Sequence, residues 1–358
     1  MNPFKLLHHW YKRAKNRHGL ELMKFLEIEL LGRHASTYCY HHPSHVLIEI
    51  TTRCNLRCGY CNQSDPKWQK EFGHKDMPFE MFETIVKQLK GSRVLLLYNI
   101  GEPLLYKRIF DAVALAREYI PEVRLTTNGL LLTADKARKL EKAGLTQLNV
   151  SIDGPTEAIM QRNRGAELKK IEDNLLAFGK ACKIPVAVWT VVNAVDADAL
   201  IDLPDWAHKI PAIKSIVFQL QNGVDSSIPA LDSREKYKKL QDLVAAKCKA
   251  FGLWTNIDAL PYYPDGFHEG KAAGICKAPF TQLVAINVLG QLAPCCSYAT
   301  YGLGDVFALG FKNAWNGEAM RAWRRDMLNQ QYCHYCSNWC GFKEHAVAPG
   351  IPVKFTTS

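Results

Sequence analysis

The chain has 358 residues, 47% apolar and 22% charged, with a formal net charge of +10 and twelve cysteines. That length holds one large α/β domain with a small appendage, and no apolar run reaches the roughly 18 residues of a membrane span. The basic residues are scattered without an aromatic-basic motif, which excludes nucleic acid as an expected partner. The N-terminus lacks the apolar core of a signal peptide, so a cytoplasmic chain with metal-binding rather than disulfide cysteines is expected.

Residues 1–45 read as an N-terminal helical extension. Lys5, Lys12, Arg13, Lys15 and Arg17 precede an amphipathic run, Leu20–Leu31, that Gly32 ends. It reads either as a helix packed on the main domain with a solvated basic face or as a weak membrane contact. From residue 46 to about 225 strand and helix patterns alternate. Strands are expected at Val46–Thr51, Val94–Tyr98, Val123–Thr126, Leu148–Ile152, Pro185–Val192 and Ser215–Leu220. Helices are expected at Pro78–Lys90, Leu105–Tyr119, Ala134–Ala143, Glu167–Ala181 and Ala197–Lys209. Six β-α repeats with apolar strands predict a parallel sheet covered by helices, as an incomplete barrel or an open sheet. Residues 226–262 form a helical linker containing the helix Ser233–Gly252. Residues 263–358 make a smaller unit, with a hairpin around Leu289-Gly290, a helix over Asn313–Asn329 and a final cysteine cluster.

The first strand runs into Cys54-Asn-Leu-Arg-Cys58-Gly-Tyr-Cys61. Three thiolates on one strand-end loop can hold a [4Fe–4S] cube and leave one iron open. Zinc would need a fourth ligand, for which His74 is the nearest candidate. Successive strands end in Gly101-Glu102-Pro103, Thr126-Thr-Asn-Gly129 and Ser151-Ile-Asp153-Gly154, and their glycines permit close backbone approach to a ligand. Asn193 and Gln219, at the ends of the fifth and sixth strands, suit either ligand binding or structural hydrogen bonding.

With these loops in order, residues 46–220 resemble the radical SAM superfamily, in which an aromatic, here Tyr60, precedes the last cysteine. The resemblance implies an α/β partial (β/α)6 TIM-type barrel and a [4Fe–4S] cluster on Cys54, Cys58 and Cys61. It also implies S-adenosylmethionine (SAM) chelated to the open iron and cleaved reductively to a 5′-deoxyadenosyl radical. By the same resemblance, Gly101, Glu102 and Pro103 cradle the methionyl amino group, with Ile100 where relatives more often have a glycine. Ser151 and Asp153 touch the ribose or carboxylate end, and Tyr60 packs by the adenine. Arg164, in an Arg-Gly pair, suits the methionyl carboxylate, which a guanidinium can grip bidentately; otherwise it is a surface arginine at a helix start.

The second cysteine set, Cys276, Cys295, Cys296, Cys333, Cys336 and Cys340, is similar to a shortened SPASM/Twitch extension and implies a small α+β iron–sulfur domain with one auxiliary [4Fe–4S] cluster. Its expected ligands are Cys276, Cys295, Cys333 and Cys336, with Cys340 as a substitute for Cys333. Cys39, Cys182 and Cys248 read as buried small hydrophobes. The resemblance implies a radical SAM oxidoreductase, dehydrogenase-like, acting on a carbohydrate-like or other polar metabolite and served by a flavodoxin- or ferredoxin-type reductant. An epimerase, with Cys296 or Cys340 returning a hydrogen atom, and a peptide maturase are the enzyme alternatives. An iron–sulfur electron carrier is the non-enzyme one. The sequence picks out no catalytic base.

Overall fold

Apolar runs bounded by glycine, proline and polar turns make the strands, and most are followed by a capped helix. The computed structural model describes residues 19–220, 231, 233–259, 275–296, 302–331 and 336. A leading helix, α1 (Gly19–Leu31), precedes β1 (His45–Ile48). Then follow α2 (Pro66–Phe72), α3 (Phe79–Lys87), β2 (Val94–Leu97), α4 (Ile109–Tyr119), β3 (Glu122–Thr127), α5 (Ala134–Lys142) and β4 (Gln147–Ser151). Next come α6 (Glu157–Arg164), α7 (Leu168–Ala181), β5 (Val186–Val192), α8 (Leu203–His208), β6 (Ile213–Leu220), α9 (Arg234–Phe251) and β7 (Trp254–Thr255). The described C-terminal part holds β8 (Leu283–Ile286), β9 (Leu292–Ala293), α10 (Val306–Leu309), α11 (Phe311–Trp315) and α12 (Glu318–Leu328).

The first six strands pair in parallel in chain order, with β1–β2 in register as Leu47 opposite Leu96 and β2–β3 as Leu96 opposite Arg124. The parallel sheet is the one the β-α rhythm predicts, and the α/β partial-barrel fold is the one the family resemblance implies. Alternation along each strand sends one set of side chains outward under the helices and the other inward. The outward set, including Val46, Ile48, Leu95, Leu97, Val123 and Leu125, merges with the helix faces into one large core. A fully buried branched side chain contributes about 2 kcal/mol, so this outer layer carries most of the stability. The inner face holds only a small cluster of Leu47, Val94, Leu96, Ala285 and Ala293, flanked by Tyr98, Leu283 and Cys296.

Several expectations need correction. The hairpin of β8 and β9, expected within the smaller C-terminal unit, joins the edge of the main sheet. Strand β8 pairs in parallel with β1, Leu47 opposite Ala285, and β7 extends the sheet beyond β6. An uncovered β1 edge would present unpaired backbone groups, which the hairpin satisfies. The single helix expected over Asn313–Asn329 is two, α11 and α12, because Asn316 turns its side chain to residue 39. Helices α2 and α6 lay outside the sequence reading, although Asp65 and Thr156 cap them by side-chain hydrogen bonds to Lys67 and Ile159 N–H groups. Residues 197–209 are a 3₁₀ turn, Ala199–Asp202, followed by α8, where Pro204 sits in the first turn.

The N-terminal segment is fastened to the C-terminal part. Asn316 Nδ2 donates to the Cys39 carbonyl at 3.0 Å and its Oδ1 accepts from the Cys39 N–H at 2.9 Å. Fully buried Arg324 donates to the Thr37 and Pro279 carbonyls and lies 3.9 Å from the centre of the Trp315 ring.

Candidate active site

The cysteine loop leaves β1 at its C-terminal end, where parallel strands present their chemistry. Its base is fixed by Asp76, which accepts from Thr51 Oγ1 at 2.6 Å and from Arg53 Nε and Nη2 at 2.9 and 2.6 Å. Gln63, buried beneath the loop, donates to the carbonyls of Thr52 and Ile100, tying the first strand-end loop to the second. The Gly59 N–H donates to the Asn163 carbonyl of α6. The loop is therefore held on both sides, with Cys58 buried and Cys54 and Cys61 half-buried.

Burial raises all three thiol pKa values, Cys54 to about 11 and Cys61 to about 12. Opposing it are a Leu56 N–H 3.4 Å from Cys54 Sγ, a Gln63 N–H directed at Cys61 and the Arg164 guanidinium beside Cys58. Such a pocket favours thiolates only when a cation compensates the lost hydration, which is what a metal cluster brings. Among the described residues no three His, Cys, Asp or Glu side chains converge on a single metal-ion position. A cube spreads its ligands over separate irons.

The second loop lies directly on the first. A side chain at Gly101 would place its Cβ 2.0 Å from the Thr51 carbonyl oxygen, so only glycine allows this approach. The Glu102 N–H donates to the Arg53 carbonyl at 2.8 Å. Its buried carboxylate accepts from Leu104 N–H, Thr127 Oγ1 and Asn128 N–H at 3.0, 2.8 and 2.7 Å. Glu102 thus faces the protein and staples the second loop to the third, so its carboxylate is not the part of the loop that meets a ligand. Asn128 closes the lacing, donating to Asn55 Oδ1 at 2.8 Å.

The fourth loop carries Ser151, half-buried at the end of β4, and Asp153, fully buried. Asp153 accepts from Arg164 Nη2 at 2.8 Å and from the Tyr60 hydroxyl, and the guanidinium lies 5.7 Å from the Tyr60 ring centre. Its carboxylate is therefore committed to positioning Tyr60 and Arg164. Arg164 is neither exposed nor at a helix start: it occupies the last turn of α6, before left-handed Gly165, and its side chain is 11% exposed. Its Nε is buried without a hydrogen-bond partner among the described residues. A buried donor left over beside the cysteine loop suits an anionic group such as a carboxylate.

Asn193 turns away from any ligand: it is buried, donates to Asp196 and accepts from the Val195 and Asp196 N–H groups, while Gln219 is exposed. Cys276, Cys295, Cys296 and Cys336 are half-buried, and burial raises the Cys276 pKa. Cys276 and Cys336 pack on the outer core, whereas Cys296 packs on the inner-face cluster near Tyr98. Cys333 and Cys340 lie outside the described residues.

One inner-face group escaped the sequence reading. Glu49 continues the β1 ladder, its N–H donating to the Ile286 carbonyl at 2.9 Å, and alternation puts it on the face of Leu47. It is 4% exposed, and its Oε1 accepts from Asn99 Nδ2 and the Ile100 N–H at 3.1 and 3.3 Å. Burial lifts its pKa to about 7. An acid inside an apolar strand was the available signal. Trp189, from β5, meets Tyr98 edge to face on the same inner side.

Residues 48–201 match the Radical SAM superfamily, and residues 276–340 match the iron-sulfur cluster-binding SPASM domain. The chain is 28% identical over 283 residues to a GTP 3′,8-cyclase of Nautilia profundicola, covering 74% of this chain and 85% of that protein. It is 29% identical over 266 residues to the enzyme of the same name from Campylobacter fetus, covering 70% and 79%. Among solved structures it resembles Streptococcus suis SuiB bound to S-adenosylmethionine, with a TM-score of 0.65 at 16% identity over 94% of this chain and 82% of that one. It also resembles anSMEcpe with bound AdoMet, with a TM-score of 0.63 at 18% identity over 86% and 92%. Residues 48–201 thus belong to the radical SAM superfamily and residues 276–340 to the SPASM domain, so the cofactors are S-adenosylmethionine, a [4Fe–4S] cluster that binds it and an auxiliary cluster.

Proposed function

We propose that the chain is an oxidoreductase that dehydrogenates a hydroxylated, carbohydrate-like metabolite at a carbinol carbon. Cys54, Cys58 and Cys61 would hold the SAM-binding cluster. Arg164 would hold the methionyl carboxylate, Tyr60 would lie by the adenine, and the backbone of Gly101–Pro103 together with Ser151 would contact the rest of the cofactor. Cys276, Cys295, Cys333 and Cys336 would hold the auxiliary cluster, with Cys340 as the substitute for Cys333. Loaded in this way, the protein has a source of a hydrogen-abstracting radical and an acceptor for the second electron.

The observation that carries the reading is Glu49. A carbinol carbon that has lost a hydrogen atom becomes a carbonyl when its hydroxyl gives up a proton and one electron leaves, which the auxiliary cluster would accept. Glu49 is a carboxylate on the inner face with a pKa of about 7, suited to accept a proton near neutral pH. Asn99 and Ile100 fix one oxygen, and the Val288 N–H also donates to the carboxylate, holding it in place.

The cyclase relatives are named for GTP, and a triphosphate needs a cluster of uncommitted cations. Among the described residues Arg53 pairs with Asp76, Arg124 with Glu122, Arg162 with Asp196 and Arg164 with Asp153, whereas Arg57 on the cysteine loop donates only to the Leu56 carbonyl and Gln63. A nucleotide is therefore kept as a competing substrate in the test. A second reading, epimerisation by hydrogen return from Cys296, draws on its place in the inner-face cluster. The test is anaerobic reconstitution in D₂O with a panel of polyols, aminocyclitols and peptides, reading 5′-deoxyadenosine and product mass. Oxidation gives a product lighter by a pair of hydrogen atoms; thiol return gives an isomer carrying solvent deuterium. Turnover of GTP alone refutes both.

A further inference from the structure

Helix α1 is inverted relative to a helix that faces water. Its buried residues include Glu21 and Lys24, each 5% exposed, alongside Phe25 and Ile28. Its large apolar side chains point out: Leu20 is 53% exposed, Met23 65%, Leu30 73% and Leu31 52%. At 3.6 residues per turn these four share an arc of about 100° on one side of the helix. The acid within that arc, Glu27, is paired with Lys24 at 2.9 Å, so its charge is compensated.

The buried side explains the inward charges. Lys24 also donates to the Ser36 carbonyl and lies 5.9 Å from the Phe280 ring centre. Lys277, next to Cys276, pairs with Glu29 and lies 4.6 Å from the Phe25 ring centre. Polar contacts therefore fix α1 to the segment after Cys276, and the apolar arc is left facing away from the protein.

We infer that α1 is a peripheral anchor that lays this arc on an anionic lipid bilayer. Charge complementarity selects that occupant. Residues 1–18, immediately before the helix, contain Lys5, Lys12, Arg13, Lys15 and Arg17 and no acid, together with Trp10 and Tyr11. Lys and Arg beside an apolar helix face, with interfacial aromatics, give electrostatic attraction and shallow apolar insertion together. No described helix is long and apolar enough to cross a membrane, so α1 would lie in the interface plane.

The test is flotation of the full-length, cluster-loaded protein with phosphatidylcholine vesicles, with and without about one-third phosphatidylglycerol. Binding to the anionic vesicles, weakened about tenfold or more in neutral vesicles or at high salt, is expected. The variant Leu20→Glu/Met23→Glu/Leu30→Glu loses binding about tenfold or more while iron content and substrate-free SAM cleavage stay unchanged. A milder Met23→Gln/Leu30→Gln variant gives a partial loss and guards against misfolding. Failure of the wild type to float with anionic vesicles overturns the inference, as does wild-type binding by both variants. So does a wild-type dimer that the variants make monomeric, with no vesicle binding.

Discussion

Asp153→Asn keeps the shape of the fourth loop and removes one charge from the pair it forms with Arg164 at 2.8 Å. Asp153 is fully buried and the Arg164 side chain only 11% exposed, so solvent cannot replace the lost partner. Removing one member of a buried pair costs about 3–5 kcal/mol, because the remaining charge is left uncompensated. At about 2–4 °C per kcal/mol for a large domain, the melting temperature should fall on the order of 10 °C. Replacing both partners, Asp153→Leu with Arg164→Met, leaves no buried charge and should recover most of that loss. SAM binding should not recover with it, since the guanidinium is gone. The assays are anaerobic differential scanning fluorimetry and equilibrium dialysis of SAM. If Asp153→Asn melts with the wild type, the pair does not hold this loop. If the double variant binds SAM normally, Arg164 is not a cofactor residue.

Gly101→Ala drives a Cβ against the Thr51 carbonyl, a backbone atom that cannot rotate away. Overpacking of about 1–3 kcal/mol should weaken SAM binding about tenfold to a hundredfold, measured by the same dialysis. For Glu49 the folded pKa is raised to about 7, so its proton is held more tightly in the folded than in the unfolded chain. The stability it contributes is full below its unfolded pKa and fades as pH rises through about 7. The ionised form is the proton acceptor, so turnover should rise over that same interval. Glu49→Gln should flatten both the stability curve and the rate profile; an unchanged rate profile refutes its role. Reconstituted wild type should carry about eight irons, two cubes of four, and Cys54→Ala or Cys276→Ala about four each. Only Cys54→Ala should lose 5′-deoxyadenosine production, and about four irons in the wild type would sink the auxiliary assignment.

The repeating sheet was legible because each strand is a short apolar run closed by turn residues and a helix cap. Pairing between β8 and β1 was not, since nothing in either run names its distant neighbour. The cysteine spacing and the Gly101 loop announced the site, because the one is set by the reach of a single loop and the other by the need for a missing side chain. Glu102 and Asp153 stand in loops expected at the cofactor, and folding brings Thr127, Asn128, Tyr60 and Arg164 to their carboxylates. Glu49 was hidden inside a run read as a buried strand, and only strand alternation with the hydrogen bonds from Asn99 and Ile100 reveals which way it points. Asn193 takes the structural one of its two expected roles, because an Asn two or three residues before N–H groups satisfies them locally.

The bonds between Cys39 and Asn316 join residues 277 apart in sequence, and the β1 edge waits for β8 in the same way. As the chain leaves the ribosome, strands two to six can each add to a partner already made. The opening strand keeps a bare edge until the last quarter of the protein has been synthesised, and open edges invite mispairing. The seam that closes last is also the one that carries Cys276, Cys295 and Cys296 beside β8 and β9. Completion of the wall and arrival of the first three cysteines of the second set are thus a single late event in the birth of the molecule.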